Sequence, residues 1–229
     1  AAAGGPSRGF AEPPTVASTA ELWTFHPTAR AWAQPEVVGS AGLERREAQP
    51  SARHAAAAAS LAASSVALHG GLLTASTASA ELWLLRCHFG IGEGGAVSWR
   101  RVNFGRGAMA PEARAYHSLT RLPQPEGSGE AAVAEGGAAD SFVLYGGRAP
   151  VPPRRAGGRG ISPSDADATS ATLGDVWRFE RGVWTLLHNV SSGSAPPPRS
   201  AHAVTAHRHG DGCIESGCLL VYGGRAAAS

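Results

Sequence analysis

The chain contains no lysine. All 20 of its cationic residues are Arg, and Ile (3), Asn (2) and Met (1) are nearly absent too, while 45 Ala and 30 Gly fill about a third of the 229 positions. This skew reads as a GC-rich coding bias, so Ala runs carry less helix information than their propensity suggests. Core-building residues are also few: Leu, Val, Phe and Ile together number 40 of 229, below the roughly 20% level associated with disorder. Disordered chains, however, combine few aromatics with high net charge, whereas this one has six Trp and a formal charge of +2. The expectation is an ordered protein with long, poorly packed connections. Near-neutral charge argues against a dedicated nucleic-acid binder, which normally shows a concentrated basic surface. The longest weakly apolar run, Ala55 to Leu68, is 14 residues of mostly Ala and Ser, too short and too weak to span a bilayer. No Met opens the chain and no charged-then-apolar leader follows. That leads one to expect a mature, trimmed or partial chain, including one whose signal peptide has been removed.

What is present is a repeat. An apolar run ending in paired glycines occurs at Val66 to Gly70-Gly71, at Phe142 to Gly146-Gly147 and at Leu219 to Gly223-Gly224, with a further pair, Gly4-Gly5, near the start. An acidic-apolar-Trp triplet follows the first three pairs, as Glu21-Leu22-Trp23, Glu81-Leu82-Trp83 and Asp175-Val176-Trp177. Each triplet is followed by a second Trp, at Trp32, Trp99 and Trp184. Upstream of the later pairs stands Pro-x-x-Arg-x-x-His, at Pro111, Arg114, His117 and at Pro196, Arg199, His202, with a degraded copy at Pro50, Arg53 and Ala56. Gly after a strand allows positive φ and close backbone approach. Flat Trp rings fill the gap between neighbouring sheets.

This order of Arg and His, apolar run, Gly-Gly, acid-x-Trp and second Trp resembles the kelch repeat over nearly the whole chain. The resemblance implies an all-β fold of four-stranded antiparallel blades, a segment of a β-propeller. It divides the chain into half a blade over 1–49, a blade over 50–110, a blade over 111–195 and half a blade over 196–229. Two departures stand out. A kelch unit is about 50 residues, yet the Gly-Gly pairs lie 66, 76 and 77 residues apart, and the excess falls in residues 121–140 and 148–172, which read as Pro/Gly/Ser-rich loops. About three blades also fall short of the roughly four to eight of a closed propeller, so the rest of the propeller is expected outside this segment. Within the frame, Ala55 to Ala59 becomes the first strand of its blade, against its helix propensity.

Chemistry-bearing clusters are sparse. Kelch-type propellers include copper-radical oxidases, whose centre requires two His, two Tyr and a Cys. Here Tyr116 stands beside a repeat His, and Tyr145 and Tyr222 precede Gly-Gly pairs. No phosphate loop or nucleophile elbow occurs in the required context. The three Tyr are accounted for by their places in the repeat, so the expectation is a non-enzymatic protein with neither cofactor nor metal. His202, His207, His209, Cys213 and Cys218 form the densest polar cluster, but their spacing matches no common zinc motif; a solvated polar loop is the other reading. Cys213 and Cys218 bracket a loop short enough for a disulfide, and Asn189-Val190-Ser191 is an N-glycosylation sequon. Both suit a secreted or cell-surface ectodomain of the attractin-like kind. The low Cys total and the odd Cys87 favour a cytoplasmic or cytoskeletal setting.

Arg154, Arg155 and Arg159 lie in the 148–172 insertion, and Arg114 and Arg199 start the links between blades. Antiparallel blade topology puts these five on one face, where guanidinium groups would dock an acidic protein surface; the other reading is a solvated loop, with Arg114 and Arg199 making contacts within the chain. The expected function is a protein–protein interaction scaffold or adaptor, a structural subunit of a larger assembly, with its partners on the loops 121–140 and 148–172.

Overall fold

The computed structural model describes residues 18–38, 49–61, 64–88, 95–123, 141–150, 170–189, 195–207 and 218–226, and among them there is no helix. In chain order the strands begin with a hairpin of β1 (Thr24–His26) and β2 (Ala31–Ala33), followed by the short β3 (Glu36–Val37). A four-stranded antiparallel meander comes next: β4 (Ala57–Ser60), β5 (Ser65–His69), then a small ribbon of β6 (Leu72–Thr74) and β7 (Thr77–Ala78), then β8 (Leu82–His88) and β9 (Ala96–Arg101). β3 lies parallel along the outer edge of β9.

The second meander repeats the first. It comprises β10 (Ser118–Arg121), β11 (Phe142–Pro150), β12 (Ser170–Glu180) and β13 (Val183–His188), paired in sequence order. Last come β14 (Arg199–Ser200), β15 (Ala203–His207), β16 (Cys218–Tyr222) and β17 (Arg225–Ala226), with β15 pairing β16 and β14 pairing β17. The fold is all-β, made of several antiparallel sheets.

The Ala-rich stretch is a strand, Ala57–Ser60, two residues later than the frame placed it. The offset has a backbone cause: Ala55 takes φ +54°, and Tyr116 and Ala201, each two residues after its own repeat Arg, take +57° and +54°. The chain turns at this residue before each first strand starts. These turns also pin successive units together. The Tyr116 amide donates to the Ala55 carbonyl, and the Ala201 amide donates to the Tyr116 carbonyl, both at 2.9 Å. Small side chains then serve contact between sheets, since β4 packs against β10 and β10 against β15.

The core lies between the two meanders. Ala57, Ala59, Ala67 and Leu82 from one sheet meet Leu119, Phe142, Leu144, Trp177, Phe179 and Trp184 from the other. Phe142 and Phe179 stack at 4.8 Å between centroids, and Trp184 stands edge-on to both. Burying each such ring contributes about 1.5–3 kcal/mol.

One expectation needs correction. Residues 148–150 and 170–172, expected as loop, continue the β11–β12 ladder through Arg148↔Thr172, Ala149↔Ala171 and Pro150↔Ser170. Pairing beyond Gly-Gly recurs in each unit, as His54↔Leu72, Ala115↔Arg148 and Ser200↔Arg225. The residue after each repeat Arg thus bridges to the residue after each Gly-Gly. This pairing satisfies backbone groups that a plain loop would leave open.

Candidate functional site

The polar groups with the most developed geometry form a seam at the ends of these strands. Arg114 is fully buried. Its guanidinium grips Asp175 bidentately, Nη1 to Oδ1 at 2.6 Å and Nη2 to Oδ2 at 2.8 Å. It also donates to the carbonyls of Gly146 and Glu112. The Trp177 indole N–H donates to the same carboxylate at 2.6 Å. Burial, the largest single influence on Asp175, pushes its carboxyl upward, but Arg114 and Trp177 together outweigh it and the group lies below its ordinary range. The preceding unit repeats the arrangement: Arg53 donates to the Gly70 carbonyl and to Glu81, and the Trp83 indole donates to Glu81 at 3.0 Å. Burial again opposes the shift, and Arg53, Trp83 and Arg101 hold Glu81 low. Arg, acid and Trp therefore act as one device, and a buried cation is tolerated because a carboxylate and carbonyls satisfy its donors.

A line of imidazoles crosses between units. His69 Nδ1 lies 3.1 Å from His117 Nε2, with the rings edge-on. His202 Nε2 lies 3.1 Å from Ser118 Oγ, and its ring packs on Tyr145. Burial first, then the charges of Arg114 and Arg53, lower His69 to about 3. Burial, with His69, Arg114 and His202 beside it, holds His117 well below its ordinary value. Burial and then Arg199 lower His202, against the raising effect of a hydrogen bond to the Tyr145 backbone carbonyl. All three are neutral at pH 7. Gly70 and Gly146 let this contact form: a Cβ at Gly70 would sit 2.5 Å from the Arg114 carbonyl oxygen and 2.7 Å from the His117 ring, and one at Gly146 would sit 2.6 Å from the Arg199 carbonyl oxygen. Both glycines hold positive φ, +69° and +63°.

These placements redistribute the residues proposed for partner binding. Arg114 is corrected off the docking face, since its donors are spent inside the chain and its side chain reaches no solvent. Arg199 is half-buried, with Nη1 on the Gly223 carbonyl at 2.9 Å and Nε on that of Pro197 at 3.2 Å. Arg154, Arg155 and Arg159 lie outside the described residues, as do most of 121–140 and 148–172. Cys213 is outside as well; Cys218 Sγ lies 3.6 Å from the His207 carbonyl oxygen. Asn189 is exposed just after β13. The polar cluster near the last sheet is divided, with His207 paired to Cys218 in the β15–β16 ladder and His202 turned toward Ser118 and Tyr145. Among the described residues no group of three or more His, Cys, Asp or Glu could hold a metal ion. An open depression of about 310 Å³, lined by Arg121, Leu122, Pro123 and Ala206, lies where the 121–140 insertion leaves β10.

Sequence reasoning treated Arg and acid-x-Trp as separate markers and missed that they pair. The signal was present as opposite charges in constant order within each repeat. The left-handed residues Ala55, Tyr116 and Ala201 carried no such signal, because they share no side-chain property.

The fold and seam define an all-β protein of repeated antiparallel sheets. No family model matches the chain, and no curated protein matches it. Among the solved structures that the chain matches are these two. One is described as YjhT, with TM-score 0.49 and 15% identity, covering 91% of this chain and 46% of that one. The other is a RAG complex with one melted and one unmelted RSS, with TM-score 0.49 and 14% identity, covering 89% of this chain and 60% of that one. The chain thus spans about half the length of each.

Proposed function

We propose that the chain is a segment of a kelch-type β-propeller that acts as a non-catalytic protein–protein interaction scaffold, a structural subunit of a larger assembly. The observation that carries this reading is the threefold recurrence of one geometry, an Arg, a left-handed residue and a bridge to the position after Gly-Gly, with a hydrogen bond joining the left-handed residues at each of the two junctions between the three units. Such a device fixes sheets against one another and leaves the long insertions to make contacts, rigid elements presenting variable loops. Support also comes from the chemistry of the seam, where Arg53 and Arg114 are paired with Glu81 and Asp175 inside the chain.

The test is crosslinking mass spectrometry on the native assembly. With carboxyl-reactive reagents, since the chain has no Lys, crosslinks from residues 121–140 and 148–172 to other chains are expected. Replacing residues 151–169 by a two-residue Asn-Gly turn between the paired Pro150 and Ser170 is expected to remove those of the second insertion while keeping the melting temperature. An assembly whose crosslinks avoid both insertions would refute the loop-docking mechanism.

A further inference from the structure

Where one unit meets the next, the residue before Gly-Gly faces the His of the following repeat. At the second junction that residue is Tyr145, whose ring packs on His202; at the first it is His69, 3.1 Å from His117. The first junction is thus built on two imidazoles. Both are buried, and the neutral pair has two N–H groups and two lone pairs, of which one of each meets in the contact. The outer nitrogens, His69 Nε2 and His117 Nδ1, are enclosed and find no hydrogen-bond partner among the described residues. One more proton would add both a buried charge and a buried N–H.

The charged groups that face the pair oppose such a proton. Arg114 and Arg53 act on His69, and Arg114 and His202 act on His117. The seam's carboxylates are already engaged, Glu81 by Arg53 and Arg101 and Asp175 by Arg114. Trp184, edge-on to His69, and Ser118, next to His117 in the chain, carry no charge. The second junction differs. It has one imidazole, half-buried, with a hydrogen bond to the Tyr145 carbonyl that favours its charged form.

Residues 111–117, which carry Arg114 and His117, are held on two sides. Toward their own sheet the holds are the Arg114–Asp175 ion pair, whose carboxyl lies below its ordinary range, and the Ala115–Arg148 bridge. Toward the preceding sheet they are the imidazole contact and three backbone hydrogen bonds. The Gly71 amide donates to the Arg114 carbonyl at 2.9 Å, the Arg114 amide to the Ser79 carbonyl at 3.1 Å and the Tyr116 amide to the Ala55 carbonyl at 2.9 Å. We propose that this segment is an acid-operated strap: protonation of His69 and His117 frees it from the Gly70–Gly71 turn, a local opening at one end of the junction that leaves both sheets folded. The strap keeps its hold on its own sheet, and lifting it wets the imidazoles without parting the stacked Phe142 and Phe179. The opening works whatever the insertions bind, so it is independent of the scaffold reading.

The test is amide hydrogen exchange of the purified chain followed by NMR, with protection factors corrected for the intrinsic pH dependence of exchange. Between pH 7 and pH 5 the amides of Gly71, Arg114 and Tyr116 should lose protection by about 25-fold for each imidazole that gains a proton on opening, while amides within β5, β8, β11 and β12 keep theirs. His69→Tyr, which installs at the first junction the residue used at the second, should abolish most of that loss, and His117→Gln should halve it on a logarithmic scale. Tyr145→His should bring a new loss at the Ala201 amide, which donates across the second junction. Protection at Gly71, Arg114 and Tyr116 that holds to pH 5 overturns the proposal. Loss at those amides in step with β5 and β8 is global unfolding and overturns it equally, as does a loss unchanged in both His69→Tyr and His117→Gln.

Discussion

Arg114 and Asp175 set the residue scale. Burying a cation is costly unless its donors are met, and removing one partner leaves the other charged and unpaired, at about 3–5 kcal/mol. Asp175→Asn is therefore expected to cost about 3 kcal/mol in urea unfolding, while Arg114→Met with Asp175→Asn costs distinctly less than the two single changes summed. Additive losses would show that the ion pair is not coupled. The imidazoles give a pH signature. His69, lowered to about 3, and His117, lowered well below its ordinary value, are neutral when folded and bind protons more readily when unfolded. Their contribution is complete above an unfolded pKa of about 6.5 and declines as the pH falls toward the folded value, by up to about 1.4 kcal/mol per pH unit for each. The depressed carboxyls of Asp175 and Glu81 lose their contribution only at lower pH. Midpoints of urea unfolding should start to drop near pH 6, and His117→Gln should flatten the decline between pH 6 and 4.

At the scale of elements, strands pack because aromatic rings and glycines alternate between filling and yielding space. Trp184 sits edge-on to His69, Phe142 and Phe179. Trp184→Ala is expected to lose about 3–5 kcal/mol, read as a lowered denaturant midpoint with unchanged slope. Gly146→Ala strains positive φ and drives a methyl against the Arg199 carbonyl, whereas Gly182→Ala, at φ +81° with nothing within 4 Å, strains φ alone. The first should cost more than the second, whose penalty is about 1 kcal/mol; equal losses would mean that contact between units contributes nothing at Gly146. The strands themselves were legible, since apolar runs, Gly-Gly and Trp are local signals of strand, stop and packing. The start of β4 was legible only to within two residues, because the left-handed turn falls on an Ala. The extension of β11 and β12 past Gly-Gly was not legible, because Arg148-Ala149-Pro150 and Ser170-Ala171-Thr172 carry a loop composition and pair only because their partners arrive across the ribbon.

For the whole molecule, protection from hydrogen exchange should follow the completeness of the sheets. Amides of β5, β8, β11 and β12, each paired on both sides, are expected to exchange slowest, and those of the two-stranded β1–β2 sheet faster. Sequence alone determined the repeat frame and hence the all-β architecture, because each marker acts through its immediate neighbours in the chain. It did not determine which copies of the frame are buried. Glu21-Leu22-Trp23 and Glu81-Leu82-Trp83 are the same three residues, yet one Trp lies half open to solvent and the other is enclosed. Arg114 and Arg199 share a motif, yet among the described residues only the first is paired with a carboxylate. Burial, ion pairing and depressed imidazole basicity arise from what the adjoining strand and the next unit bring into contact, and only the tertiary structure decided that.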